Sequence, residues 1–199
     1  VRIAAILLAA GEGRRIGGPK ALLRIGGETF LSRCARLLSR PGVDRLVLVV
    51  GHEAERVCAM AGVPRDALRV TNAAYREGGM LSSILRGLDA ADATGADAAL
   101  LHPVDHPLVA ESTVDQVVAA LAGGAEIAVP SFAGRRGHPG GFARATWGLL
   151  RHAPPERGAR AVLQDHPERI RHVPGDALCA SGIDTPEDMR RLLGAPALQ

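Results

Sequence analysis

Leu8-Ala9-Ala10-Gly11-Glu12-Gly13-Arg14-Arg15-Ile16-Gly17-Gly18-Pro19-Lys20 decides the reading of this chain. It follows the apolar run Ile3–Leu8 and turns to glycines and bases where that run stops. An apolar, β-rich run that ends in such a turn is a strand feeding a loop. Gly11 and Gly13 let backbone N–H groups face an anion with no Cβ in the way. Arg15 offers a planar fork and Lys20 a point charge, a pair suited to a polyphosphate. Two commoner phosphate patterns fail. The GxGxxG fingerprint needs glycine where Ile16 stands, and the Walker A pattern is broken by Pro19 after Gly18 and by Leu22 beyond Lys20. On spacing alone, a surface loop with solvated bases stays open.

Working outward, strand-like runs alternate with helical patterns. Thr29–Ser39 has helical spacing, with Leu31, Ala35 and Leu38 on one face. Arg45–Val50 (RLVLVV) is continuously apolar, as in a strand buried on both faces. Glu53–Ala61 is a helix that Gly62 can cap, Leu68–Thr71 a short strand, and Ser82–Ala91 a helix for which Ser82 or Ser83 is the cap. Ala98–Leu101 is a strand, Ser112–Leu121 a helix with Ser112 as N-cap, and Ile127–Val129 a strand leading into a loop, Pro130–Gly141. Helices near Arg144–Arg151 and Gly158–Gln164, a strand at Arg171–Val173 and a helix at Pro186–Leu193 complete the chain. The order implies an α/β domain, a mostly parallel sheet sandwiched between helices. Ligands in such sheets sit beyond the carboxyl ends of the strands. The informative residues fall there: Gly11–Lys20, Gly51, Asn72 and Asp105.

Asn72 opens Asn72–Ser83, where Gly78 and Gly79 suit a loop that closes on a ligand. Its side chain has a donor and an acceptor, which fit either a base edge or an Asx turn. Asp105, in His102-Pro103-Val104-Asp105-His106-Pro107, is placed to bind Mg²⁺. The neighbouring histidines match no structural zinc spacing. Gly134–Gly141 is basic and glycine-rich, suited either to an acceptor's phosphate or to a plain hairpin. Asp184, just before the last helix, fits an N-cap or a second metal ligand.

Composition narrows the classes. The 199 residues suit a single domain, 1–199, and 47% hydrophobic residues suffice for a core that Leu, Val, Ile and Ala must fill, since aromatics are only 3%. The net charge of +3 comes from scattered arginines without a basic stripe, which argues against nucleic acid as a partner. Cys34, Cys58 and Cys179 show no paired spacing, Cys34 and Cys58 fall on apolar helix faces, and reduced thiols are expected. Val1–Ala10 is too short to span a bilayer and, lacking a basic n-region, does not read as a signal peptide. The expected location is therefore cytoplasmic, with no membrane partner.

Five segments in one order carry a resemblance: Leu8–Lys20 (LAAG-x-G-x-R-x-G-x-x-K), Asn72–Ser83 (N-x-x-Y-x-x-G-M-x-x-S), Asp105–Pro107, Gly134–Pro139 (GRRGHP) and Ile183–Asp188 (IDTPED). The chain resembles the MobA-like nucleotidyltransferases, and most closely their molybdenum cofactor cytidylyltransferase branch. The resemblance implies a Rossmann-like fold, with an NTP-binding part at about 1–110 and an acceptor-binding part at about 111–199. It implies that Leu8, Ala9, Ala10, Gly11, Gly13, Asn72 and Ser82 hold the nucleotide, Asn72 near the base or ribose. It implies that Lys20, Arg15 and Asp105 serve catalysis, that Asp105 and Asp184 hold Mg²⁺, and that Arg136 and His138 face the acceptor. LAAG rather than LAGG is similar to the CMP-transferring members and favours CTP. His106 stands where relatives commonly carry Gln, which leaves the acceptor's identity open. The implied activity moves a nucleoside monophosphate from an NTP to a small phosphorylated acceptor, a molybdopterin-type cofactor by resemblance, which a cofactor-receiving enzyme then takes up. Guanylyl or sugar-phosphate transfer, a non-catalytic NTP-binding regulator or chaperone, and a Rossmann oxidoreductase are the alternatives; the missing third glycine at Ile16 argues against the last.

Overall fold

A computed structural model describes residues 1–60 and 62–194. Its centre is β1 (Ile3–Ala9), every residue of which is buried. Ile3, Ala5, Leu7 and Ala9 point into one core, and Ala4, Ile6 and Leu8 into the other. That alternation is what a central strand requires when both faces are covered. β4 (Arg45–Val50) and β6 (Ala98–Pro103) flank β1 in parallel, and β5 (Leu68–Thr71) pairs with β4 as the outer edge. A two-stranded ribbon, β2 (Arg24–Ile25) and β3 (Glu28–Thr29), lies apart from this sheet.

Helices cover the two faces as the apolar spacings demand. On one side α1 (Phe30–Leu38) and α4 (Glu111–Ala122) bury Leu31, Ala35, Leu38, Val114, Val117 and Leu121. On the other α3 (Gly79–Ala93), α5 (Trp147–Arg151) and α6 (Ala159–Asp165) bury Ile84, Leu88, Trp147, Leu150 and Val162. Burying a Leu or Val side chain is worth about 1.5–3 kcal/mol each, so these faces fix the layers. α2 (Ala54–Cys58) and α7 (Pro186–Leu193) complete the helices named here. No helix among the described residues is long and apolar enough to cross a membrane.

The sheet is mostly parallel, as expected, and its second half adds antiparallel pairs. Pro130–Gly141 is not all loop. β7 (Ile127–Phe132) runs three residues further than its apolar stretch, β8 (Arg135–Arg136) folds back on it, and β9 (Gly140–Ala143) inserts antiparallel between β6 and β7. β10 (Ile170–Pro174) then pairs parallel with β7, giving the order β10-β7-β9-β6-β1-β4-β5. β9 reads Gly-Gly-Phe-Ala, with no β-branched pattern to announce it. A Cβ on Gly141 would meet Val117 Cγ1 at 2.8 Å and Leu121 Cδ1 at 2.9 Å, so α4 packs directly on its backbone.

Other boundaries shift for local reasons. α2 stops at Cys58 because Val57 alone among its residues is buried; Ala61, the expected helix end, lies outside the described residues, and Gly62 is not the cap. Cys34 is buried, whereas Cys58 is only partly so. α3 starts at Gly79, so Ser82 and Ser83 lie inside it and cap nothing. Ser112 lies in the first turn of α4, whose N-cap is Ala110 with no side-chain cap; Asp176 Oδ2 anchors this end by accepting from Ala110 N and from Thr113 Oγ1 at 2.7 Å.

Candidate functional site

The loop after β1 is held in shape by its own backbone. Gly13 sits at φ +63°, and its carbonyl accepts from Ile16 N at 3.0 Å and Gly18 N at 3.2 Å. A Cβ at Gly13 would run into the Gly18 carbonyl oxygen. Ile16 is buried and pins the loop to the core. The space beside Gly11 is open. Glu12 ties the loop to the segment after β5 by accepting from both Arg14 and Arg76, whose guanidinium groups hold its pKa down at about 2.

At the end of β6, Val104 N donates to Leu8 O and sets Asp105 beside this loop. The buried Ile183, 78 residues later, donates its N–H to Asp105 O at 2.8 Å and brings Asp184 to the same place. Asp184 is not the N-cap of α7. Thr185 is, in a capping box with Asp188, which leaves the Asp184 carboxylate free to face inward. Lys20 Nζ donates to Asp105 Oδ2 at 2.8 Å and to Asp184 Oδ1, and Arg15 Nη2 reaches Asp184 Oδ1 at 3.1 Å. Lys20 and Asp105 side chains are each 17% exposed, and Asp184 is 39% exposed. Burial opposes the Lys20 charge, but the Asp105 charge and hydrogen bond, joined by those of Asp184, outweigh it and raise its pKa. These groups line a cavity of about 240 Å³ together with Leu8, Ala9, Gly11 and Gly13.

Asn72 lies elsewhere. It is 1% exposed; its Nδ2 donates to Ser82 Oγ at 2.8 Å and Ser83 Oγ at 2.9 Å, and its Oδ1 accepts from Ala74 N. This is the Asx-turn geometry, and its polar atoms are engaged in the Ala73–Ser83 segment. Ser82 Oγ turns back to Gly79 O. Neither residue lines the cavity, so the contacts expected of them with a nucleotide are not laid out here. Ala10 is buried, with its carbonyl accepting from His52 N.

A second cavity, about 580 Å³, adjoins the first at Leu8, Met80 and Pro103. Its walls include Leu81, Ile84, Leu101, Val129 and Phe142, and its rim carries Arg136, Arg157 and Arg160. His138 lines it, with its backbone N–H donating to Cys179 O at 2.9 Å. The His138 and His106 rings meet at 4.5 Å between centroids, and His106 Nε2 stands 3.8 Å from Asp105 Oδ1. Burial, then the neighbouring His106, pushes the His138 pKa down to about 3, and burial lowers His102 and His106 as well. All three imidazoles are therefore neutral near pH 7. Met80, Arg157 and Arg160 were not singled out from the sequence as site residues, and His106, which meets His138 edge-on, was noted only as a departure from the family pattern. Met80 and His106 stood inside quoted motifs, Asn72–Ser83 and Asp105–Pro107. Both cavities draw on both halves of the chain: Asp184 enters the first, while Leu8, Met80 and Leu101 enter the second.

Asp105 Oδ1 is buried without a hydrogen-bond partner. An unsatisfied carboxylate oxygen next to a second carboxylate is a hard, oxygen-only donor set, and it fits Mg²⁺ or Mn²⁺. Residues 5–170 match the model of the MobA-like NTP transferase domain. The chain belongs to this family.

Among its relatives, nicotine blue oxidoreductase of Paenarthrobacter nicotinovorans is 32% identical, over 96% of both chains. The 2-C-methyl-D-erythritol 4-phosphate cytidylyltransferase of Thermobifida fusca is 37% identical over 65% of this chain and 55% of that one. The molybdenum cofactor guanylyltransferase of Cereibacter sphaeroides is 37% identical over 70% and 67%. Among solved structures, Rv0371c of Mycobacterium tuberculosis superposes with a TM-score of 0.80 at 27% identity, covering 98% of this chain and 99% of that one; it has also been solved in complex with manganese. Membership of the MobA-like family is thus broader than the cytidylyltransferase branch expected from LAAG.

Proposed function

We propose that the chain transfers a nucleoside monophosphate from an NTP, with CTP the favoured donor, to a phosphorylated small acceptor, a molybdopterin-type cofactor. The observation that carries this reading is the meeting of Lys20, Arg15, Asp105 and Asp184 at the mouth of the Gly11–Gly13 loop. An acceptor phosphate oxygen attacks the α-phosphorus in line, the bond to the β-phosphate oxygen breaks, and pyrophosphate leaves. Charge grows on the leaving phosphates, and Lys20, Arg15 and the loop amides take it up; positioning and charge neutralisation suffice. Asp105 and Asp184 would hold the divalent cation, which polarises phosphate oxygens when bound. Arg136 and the neutral His138 orient the acceptor in the second cavity. CTP is favoured by the LAAG opening and by the cytidylyltransferase among the relatives, while the guanylyltransferase keeps GTP as the rival donor.

A second reading has one observation behind it: the relative that matches over nearly its full length carries the name of an oxidoreductase. One assay separates them. Pyrophosphate release is followed with Mg²⁺ and each of CTP, GTP, ATP and UTP, with and without a molybdopterin acceptor, beside NAD(P)H oxidation. Acceptor-dependent release from CTP is the expected result. Release from another NTP changes the donor, and NAD(P)H turnover with no release from any NTP overturns the transferase reading.

A further inference from the structure

Lys20 stands between two carboxylates. Its ammonium uses Asp105 Oδ2 and Asp184 Oδ1, Arg15 shares the latter oxygen, and Asp105 Oδ1 is left buried and unpartnered. Lys20 and Arg15 are matched formally by the two carboxylates, and Arg14, the other cation lining the cavity, is paired with Glu12, so these cations are compensated before a polyphosphate arrives. An ammonium hydrogen-bonded to two carboxylates keeps one N–H for a phosphate, but its charge is already matched. The oxygens that accept from it, Asp105 Oδ2 and Asp184 Oδ1, reach a metal ion only when Lys20 gives them up.

We propose that Lys20 is a placeholder that occupies the divalent cation's position in the free protein, and that the cation's arrival releases Lys20 and Arg15 to the polyphosphate. Metal and nucleotide then bind as a coupled pair, each strengthening the other by the same factor. Before the exchange the four side chains sum to zero; afterwards the added dication makes the site +2, matched to an anionic substrate. The single-sided use of Asp105 fits this, because a monovalent ammonium satisfies one of its oxygens and leaves the other unpaired. The inference rests on the functional reading above, but one arm of its test needs no nucleotide.

Mn²⁺ binding, without nucleotide, is measured by electron paramagnetic resonance on the wild type, Lys20→Met and Lys20→Gln. Removing the competing ammonium is expected to tighten Mn²⁺ binding about tenfold, which is about 1.4 kcal/mol. Separately, CTP and GTP are titrated in EDTA into the wild type and Asp105→Asn. Loosening Lys20 is expected to raise metal-free nucleotide affinity about tenfold, although the same change weakens binding in Mg²⁺. A merely structural lysine would make neither ligand bind more tightly when its contacts are cut. Circular dichroism identifies folded variants, and Lys20→Gln keeps the first arm decisive if the Met variant misfolds. Unchanged or weaker Mn²⁺ binding in the folded Lys20 variants, or no gain in Asp105→Asn, overturns the exchange. If the wild type binds no nucleotide even with Mg²⁺, the functional reading falls, while the Mn²⁺ arm still judges Lys20.

Discussion

The two cavities share Leu8, Met80 and Pro103, yet they are built from different chemistry. The smaller is a charge-compensated cluster on a loop pinned by the buried Ile16 and by two hydrogen bonds to one carbonyl. The larger has aliphatic walls with Phe142, an arginine rim and a neutral imidazole. A site that stabilises developing charge needs preorganised donors, whereas a site that recognises a body and its anionic tail needs area and a few polar anchors. The difference predicts that damage to the first cavity appears in turnover and damage to the second in acceptor affinity.

The largest effects are expected at the charge cluster. Lys20→Ala and Asp105→Ala should each lower kcat by roughly 10²–10³-fold with an unchanged circular dichroism spectrum. Near-normal turnover in either would break the assignment of chemistry to this cavity. Gly13→Ala comes next. Its Cβ would collide with the Gly18 carbonyl at a φ of +63°, and the expected cost is about 1–3 kcal/mol in urea unfolding, with weaker nucleotide binding. Arg160→Ala, on the rim of the second cavity, should raise the acceptor KM about tenfold and leave kcat and the NTP KM alone. A matching rise in the NTP KM would mean that the two cavities do not act separately.

The smallest effect is on stability against pH. His138 and His102 are neutral in the folded protein because burial lowers their pKa values. The unfolded chain binds protons at about pH 6.5, before the folded one does. Stability is therefore full above about 6.5 and falls as pH drops toward the folded value near 3 for His138. Thermal unfolding at pH 7.5 and 5.5 should show the wild type losing several degrees, and His102→Leu losing less. An equal loss in both would remove His102 from this account.

What the sequence disclosed divides along the same line. β1, β4 and β6 were legible because strands covered on both faces must be apolar throughout, and the loop after β1 because glycines and bases end that apolar run. β9 was not, since Gly-Gly-Phe-Ala has no alternation and its place is set by α4 packing on Gly141. Asp184 was left between two roles by its position before a helix; the capping box of Thr185 and Asp188 removes the N-cap role and leaves metal binding as a proposal. Asn72 had the right groups for a base, but tertiary packing turned them toward Ser82 and Ser83. Arg157 and Arg160 reach the larger cavity only because α6 packs near residues far away in sequence, a placement that no local pattern records.

The most direct test of the central claim is calorimetric titration of Mg·CTP and Mg·GTP into the wild type, Lys20→Ala and His138→Ala. The account expects one of the nucleotides to bind the wild type and His138→Ala alike and to lose at least about tenfold in affinity, or 1.4 kcal/mol, with Lys20→Ala. Binding that ignores Lys20, or no binding of either nucleotide to the wild type, would contradict it.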